Sequence, residues 1–259
     1  MFKRPILLIL FIVSLVSVGT FPVYAADTQI VAGAGPSTEI TRIFFAEFSK
    51  LPMAANTRFT IMDASIKHAG GLKNSDVQLF GRTGRPLKDE EKALGKKEIL
   101  LGRVKIAFAG GRETGVKSLT MQQLKAIFTR RITNWKEVGG NNAPILLLGR
   151  DQSEAVFSAL REEYSWFNEV TFDQIFKTDD DLTKFIPGPS GRNAIAFGAQ
   201  SQLPPDQLIK VAEMNAGLKV GLVYDVKNEN NPLVNAAQQY STSKEWRNVL
   251  TKNGQLALR

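Results

Sequence analysis

The chain has 259 residues, a formal net charge of +8, no cysteine and one histidine. That composition excludes disulfide staples, cysteine–histidine catalysis and a lipid anchor on an N-terminal cysteine. Basic residues are mixed with acids and do not interleave with aromatics, which argues against a nucleic-acid surface; a diffuse positive field attracts small anions instead.

The first 25 residues read as a secretory signal. Lys3 and Arg4 supply the charged start, residues 6–18 are almost wholly apolar, and Val23-Tyr24-Ala25 places small residues at the cleavage positions. The apolar run is short for a membrane span and no stop-transfer charges follow it. The expectation is a soluble protein exported to the periplasm, cleaved near Ala25, without stable membrane insertion afterwards. Cleavage there removes Lys3 and Arg4 and lowers the net charge by two. The remaining chain is long enough for one large or two small cores.

Residues 28–32 predict a short strand, and a glycine turn follows at Gly33-Ala34-Gly35. Ile40, Ile43, Phe44 and Phe48 then fall on one helical face. Further strands are expected at 58–62, 76–80 and 104–109, with a short helix over 65–72 and a charged helix within 81–97. Thr120 followed by Gln123 is a capping-box pattern and opens a helix running to about Phe128. Trp135 is expected to pack beneath the loop that follows. Residues 145–148 predict a strand and 153–164 a helix; shorter elements follow at 172–176, 179–185 and 194–198. A late strand over 219–224 and helices over 234–240 and 244–250 complete the pattern. Strands alternating with helices predict an α/β fold with largely parallel sheets. The strands at 104–109 and 219–224 are the candidate crossovers between two lobes.

The chemistry concentrates at strand-end turns. Gly33-Ala34-Gly35-Pro36-Ser37-Thr38 is not a dinucleotide loop, because Thr38 stands where the third glycine belongs. It offers two hydroxyls and a helix N-terminus, whose unpaired N–H groups favour negative charge; simple capping by Ser37 or Thr38 is the alternative. Ser65 and Thr83 sit at comparable junctions, and Arg82 and Arg85 flank Thr83 and Gly84. An arginine fork matches two oxygens of a tetrahedral anion, and open α/β sheets bind ligands beyond the carboxyl ends of their strands. No residue spacing suggests a metal site, and Asp179-Asp180-Asp181 reads as an acidic helix start. His68 in its Lys-His-Ala-Gly context reads as a turn residue.

SLTMQQLKAIFTRRITNWKEVGGNNAPILLLGR, residues 118–150, resembles the periplasmic phosphate-binding proteins of ABC importers and their wider domain family. GAGPST, FGRTGRPLKDEE, AIAFG and KVGLVYD support the resemblance in the same order. It implies a two-lobed type 2 periplasmic-binding-protein fold, with mixed sheets flanked by helices. Lobe 1 would comprise residues 26–108 plus 220–259, and lobe 2 residues 109–219. It also implies no enzyme activity, no cofactor, a small phosphate-like oxyanion as ligand and an inner-membrane ABC permease as partner. The implied ligand-binding set is Gly35, Ser37, Thr38, Ser65, Thr83, Gly84, Arg85, Arg150, Ser153 and Glu154.

Two departures stand out. The family's turn after its second-lobe arginine carries Ser-Gly-Thr, where this chain has Glu154-Ala155-Val156. At the third junction the family often has an aspartate or serine, where this chain has Gly84. Glu154 is then an acceptor for a protonated oxyanion, a contact to a different and larger ligand, or part of a helix cap with Asp151 as N-cap and Glu154 at N3. A sensor or protein-contact subunit that keeps the fold with a weakened site is the alternative function.

Overall fold

The apolar stripe of Ile40, Phe44 and Phe48 is fully buried. It lies on α1 (Thr38–Phe48), which follows β1 (Asp27–Gly33). The structure, a computed structural model, describes residues 27–258; the expected signal segment lies outside the described residues. The chain continues through β2 (Thr57–Ser65), α2 (Lys67–Val77), β3 (Gly81–Thr83), α3 (Asp89–Ala93) and β4 (Lys96–Gly110). Then come β5 (Ser118–Leu119), α4 (Met121–Phe128), β6 (Leu146–Arg150), α5 (Ala155–Glu163), β7 (Gln174–Phe176) and α6 (Asp179–Phe185). The last elements are β8 (Ala194–Ala199), β9 (Leu208–Val211), β10 (Gly217–Asp225), α7 (Pro232–Ser241) and α8 (Lys244–Lys252). The fold is mixed α/β, with strand order β2-β1-β3-β10-β4-β8-β6-β7.

Strand β4 is shared by the two halves of the sheet. Residues Lys96 to Lys105 of β4 pair antiparallel with β10, whereas Ile106 to Gly110 pair antiparallel with β8. On the first side β10 meets β3, which continues into parallel β1 and β2. On the second, β8 continues into parallel β6 and β7. Parallel strands need covering on both faces, so each half carries helices. Their tryptophans are matched. Trp246 is fully buried and donates its indole N–H to Leu101 O at 2.6 Å, and Trp135, equally buried, donates to Asn193 O at 2.8 Å. The expected place of Trp135 beneath its loop is therefore correct, as is the Thr120–Gln123 capping box, with bonds of 3.1 and 2.9 Å.

The strand expected over 76–80 is a correction. Helix α2 runs to Val77, and the third strand is β3, at Gly81–Thr83. The reason is a backbone contact. A Cβ at Gly71 would lie 2.0 Å from Arg82 O, and one at Gly81 would lie 1.8 Å from Gly71 O. Helix and strand touch main chain to main chain, which only glycine allows. Asn74 fixes the helix end by donating to Ile30 O at 2.8 Å and Phe80 O at 2.7 Å. The strand expected at 104–109 is the second part of the longer β4. Its first part carries charged residues at Lys97, Glu98 and Arg103, which mask the strand pattern.

Candidate functional site

The turns after β1, β2 and β3 meet as the topology requires. Gly33 pairs with Arg82 across β1 and β3, and Ser65 lies opposite Gly33 across β1 and β2. The polar groups gathered there bond largely to one another. Gly35 N–H donates to Ser65 Oγ at 3.0 Å, and Ser37 Oγ donates to Ala34 O at 2.8 Å. Thr38 Oγ1 accepts from the Arg82 guanidinium, which also donates to Met62 O at 2.7 Å. Arg82 is fully buried without a carboxylate in hydrogen-bond contact; burial and repulsion from Arg42 push its guanidinium down to about 10. Thr83 is fully buried too, and its hydroxyl has no partner among the described residues. Gly84 is fixed by packing, because a Cβ there would lie 2.9 Å from the Ala34 methyl.

Arg85 turns to an acid of its own half. It forms a two-pronged pair with Glu91, both bonds at 2.8 Å, and donates to Pro86 O at 2.8 Å. The Lys88 N–H adds a 2.8 Å bond to the same carboxylate. Glu91 is held at about 2, first by Arg85 and then by the Lys88 N–H, against the upward push of burial. His68 Nε2 lies 3.2 Å from Glu91 Oε1 without an aligned hydrogen bond, and burial, then Arg85, lowers its pKa.

In the second half, Arg150 and Glu154 depart from the expected arrangement. Arg150 is 7% exposed and pairs with Asp179 at the start of α6. It also donates to Phe176 O at 3.0 Å and Lys177 O at 3.2 Å. Burial lowers its pKa, opposed by the fields of Glu154, Asp151 and Asp181. Glu154 is itself the N-cap of α5, which corrects the reading of Asp151 as N-cap with Glu154 at N3. Its carboxylate accepts from Val156 N–H at 2.9 Å and Phe157 N–H at 2.8 Å. Asp151 supplies only a backbone oxygen, bonded to Glu154 N–H at 2.9 Å. Arg161 holds the turn by donating to Gln152 Oε1 at 3.0 Å while its guanidinium lies 4.6 Å from the Phe157 ring centre.

A cleft of about 500 Å³ opens between these halves. Arg85, Pro86 and Lys88 line one side, Ser153 and the α5 face of Ala155, Ser158, Ala159, Glu162 and Glu163 line the other, and Leu218 and Lys219 of β10 form part of the lining. That volume is in the range of small-molecule sites. Of the ten residues expected to bind, Arg85 and Ser153 line this cleft; the other eight lie outside its lining. Lys88 was missed by sequence reasoning, because a lysine in a charged helix start looks like ordinary surface.

Comparison with known proteins agrees with this architecture. A family model described as a PBP superfamily domain matches residues 71–253. The phosphate-binding protein PstS of Borreliella burgdorferi is 26% identical over 157 residues, covering 60% of this chain and 53% of that protein. PstS of Bacillus subtilis is 39% identical over 82 residues, covering 32% of this chain and 25% of that protein. The chain thus spans about half the length of the first relative and a quarter of the second. A Clostridium perfringens protein assigned as a phosphate ABC transporter substrate-binding protein, solved with bound phosphate, superposes with a TM-score of 0.63. The two are 22% identical, and the match covers 90% of this chain and 100% of that one. At that identity the likeness speaks for the fold, the two-lobed type 2 arrangement seen in the sheet. The chain belongs to the PBP superfamily, as a divergent phosphate-binding-protein-like member.

Proposed function

We propose that the protein is a periplasmic solute-binding protein that captures phosphate or a related oxyanion by closing its two lobes, for delivery to an inner-membrane ABC permease. The observation that carries this reading is the 500 Å³ cleft, with Arg85 and Lys88 on one wall and a helix start on the other. The phosphate-binding names of the relatives support the same solute class. Lobe 1 is assigned to residues 26–108 plus 220–259 and lobe 2 to 109–219, with β4 and the approach to β10 as the connections. Among the described residues no helix is long and apolar enough to cross a membrane. The binding role requires no catalytic group, and the reading includes none.

Thermal melting with phosphate, sulfate, molybdate, tungstate and organic phosphates tests the reading. A bound ligand at 100 times its Kd adds about 2.7 kcal/mol of stability, which is easily seen. A chain that responds to no anion overturns it. The second reading, a sensor or protein-contact subunit with an altered site, is favoured by one specific observation: Arg150 and the α5 N-terminus are both engaged by the chain's own carboxylates.

A further inference from the structure

The first turn of α5 has its anion already. Free N–H groups at a helix start, with the positive end of the helix dipole behind them, form a ready seat for an oxyanion. Here both oxygens of Glu154 occupy the N–H groups of Val156 and Phe157. The neighbours on either side, Ser153 and Ala155, line the cleft. A free phosphate approaching this end therefore meets a fixed negative charge where it needs donors. Arg150, the nearby cation, is committed to Asp179 and two backbone carbonyls.

The opposite wall is different. Arg85 uses three N–H groups on Glu91 and Pro86, leaving Nε–H and one Nη2 hydrogen without a partner among the described residues. Lys88 beside it is exposed, and no hydrogen bond or ion pair engages its ammonium among the described residues. Between the walls the cleft follows α5 along Ala155, Ser158, Ala159 and Glu162, one helical face spanning about 10 Å at 1.5 Å per residue. Leu218 extends this lining, and Lys219 pairs with Glu162 at 3.3 Å within it. A cleft with Arg85 and Lys88 on one wall and Ala155, Ser158, Ala159 and Glu162 of α5 along the other has room for a molecule longer than one tetrahedral ion.

We propose that Glu154, outside the lining but flanked by the cleft-lining Ser153 and Ala155, sets which anions this cleft takes: it fills the oxyanion seat of α5 and shifts selection from free phosphate to organic anions whose charged head reaches Arg85 and Lys88. This rests on the solute-binding reading above and narrows its ligand class. The discriminating experiment titrates inorganic phosphate and glycerol 3-phosphate into the wild type, Glu154→Ser and Glu154→Gln by calorimetry. Serine is a strong N-cap and glutamine keeps an acceptor oxygen, so both variants retain the start of α5. The wild type is expected to bind glycerol 3-phosphate at least tenfold more tightly than phosphate. Glu154→Ser is expected to gain tenfold or more in phosphate affinity, and Glu154→Gln a smaller amount. A wild type that binds phosphate as tightly as Glu154→Ser does overturns the specificity role while leaving the solute-binding reading intact. Silence from all three proteins with both ligands overturns this inference, and with the wider anion panel also silent the solute-binding reading falls too.

Discussion

Arg82 and Arg150 occupy similar places in the two halves of the molecule and are stabilised in opposite ways. Each lies in a strand near its carboxyl end, and each is almost inaccessible to solvent. Arg150 is neutralised by Asp179 and by two carbonyls. Arg82 has only neutral oxygens, from Thr38 and Met62, in hydrogen-bond contact. The nearby acid, Asp63, pairs with Arg42 instead. A buried charge is costly unless paired. The second half has thus met its electrostatic requirements internally, whereas the first keeps a cation in a purely dipolar cradle. A cation at a strand end is therefore not by itself a ligand contact; what its remaining donors face decides.

Substitution at the two arginines is the most forceful way to break this contrast. Arg150→Ala is expected to destabilise by about 3 kcal/mol in chemical denaturation, the lower end for a broken buried pair, because Asp179 is partly exposed. Equal losses at the two arginines would refute the comparison. Glu91 supplies a sharper test by pH. Its folded pKa of about 2 lies below its ordinary 4.5, so the stability it adds is present above pH 4.5 and is lost as pH falls towards 2. Glu91→Gln is expected to cost about 2 kcal/mol at pH 7, allowing for partial solvent screening, with the gap from wild type closing near pH 2. A gap independent of pH would place the cost in packing instead of charge.

Glu154 comes next in size. Glu154→Ala removes a cap with two bonds and is expected to cost about 1 kcal/mol, whereas Glu154→Ser should cost only a few tenths. Similar losses for alanine and serine would show that charge matters more than capping. The smallest effect is expected at Arg82→Met, under about 1 kcal/mol, since an apolar side chain of similar length removes an unpaired buried charge. Denaturant midpoints at unchanged slope would measure all five variants.

Much of the fold was legible because local signals agreed with burial. The Ile40–Phe44–Phe48 stripe, the Thr120–Gln123 box and the apolar run at 194–198 each describe one element by themselves. The short β3 was not legible: Gly-Arg-Thr has no apolar alternation, and what places it is the contact with Gly71 ten residues earlier. The site was less readable still. Asp151-Gln-Ser-Glu154 offers two capping registers, and only the bonds to Val156 and Phe157 choose between them. The engagement of Arg150 depends on Asp179, 29 residues away, and of Arg85 on Glu91, which reads as helix surface. Sequence spacing names the charged groups at a turn; it does not say which are already satisfied.

The continuity of β4 has a mechanical consequence. The change of partner from β10 to β8 falls between Lys105 and Ile106, within a hydrogen-bonded strand. Two residues before it, Arg103 exchanges backbone bonds of 2.8 and 3.0 Å with Leu256 near the end of the chain. The terminal segment thus splints one side of the joint. The lobe closure proposed above would therefore have to twist the ladder beyond Arg103, against the bonds that hold it.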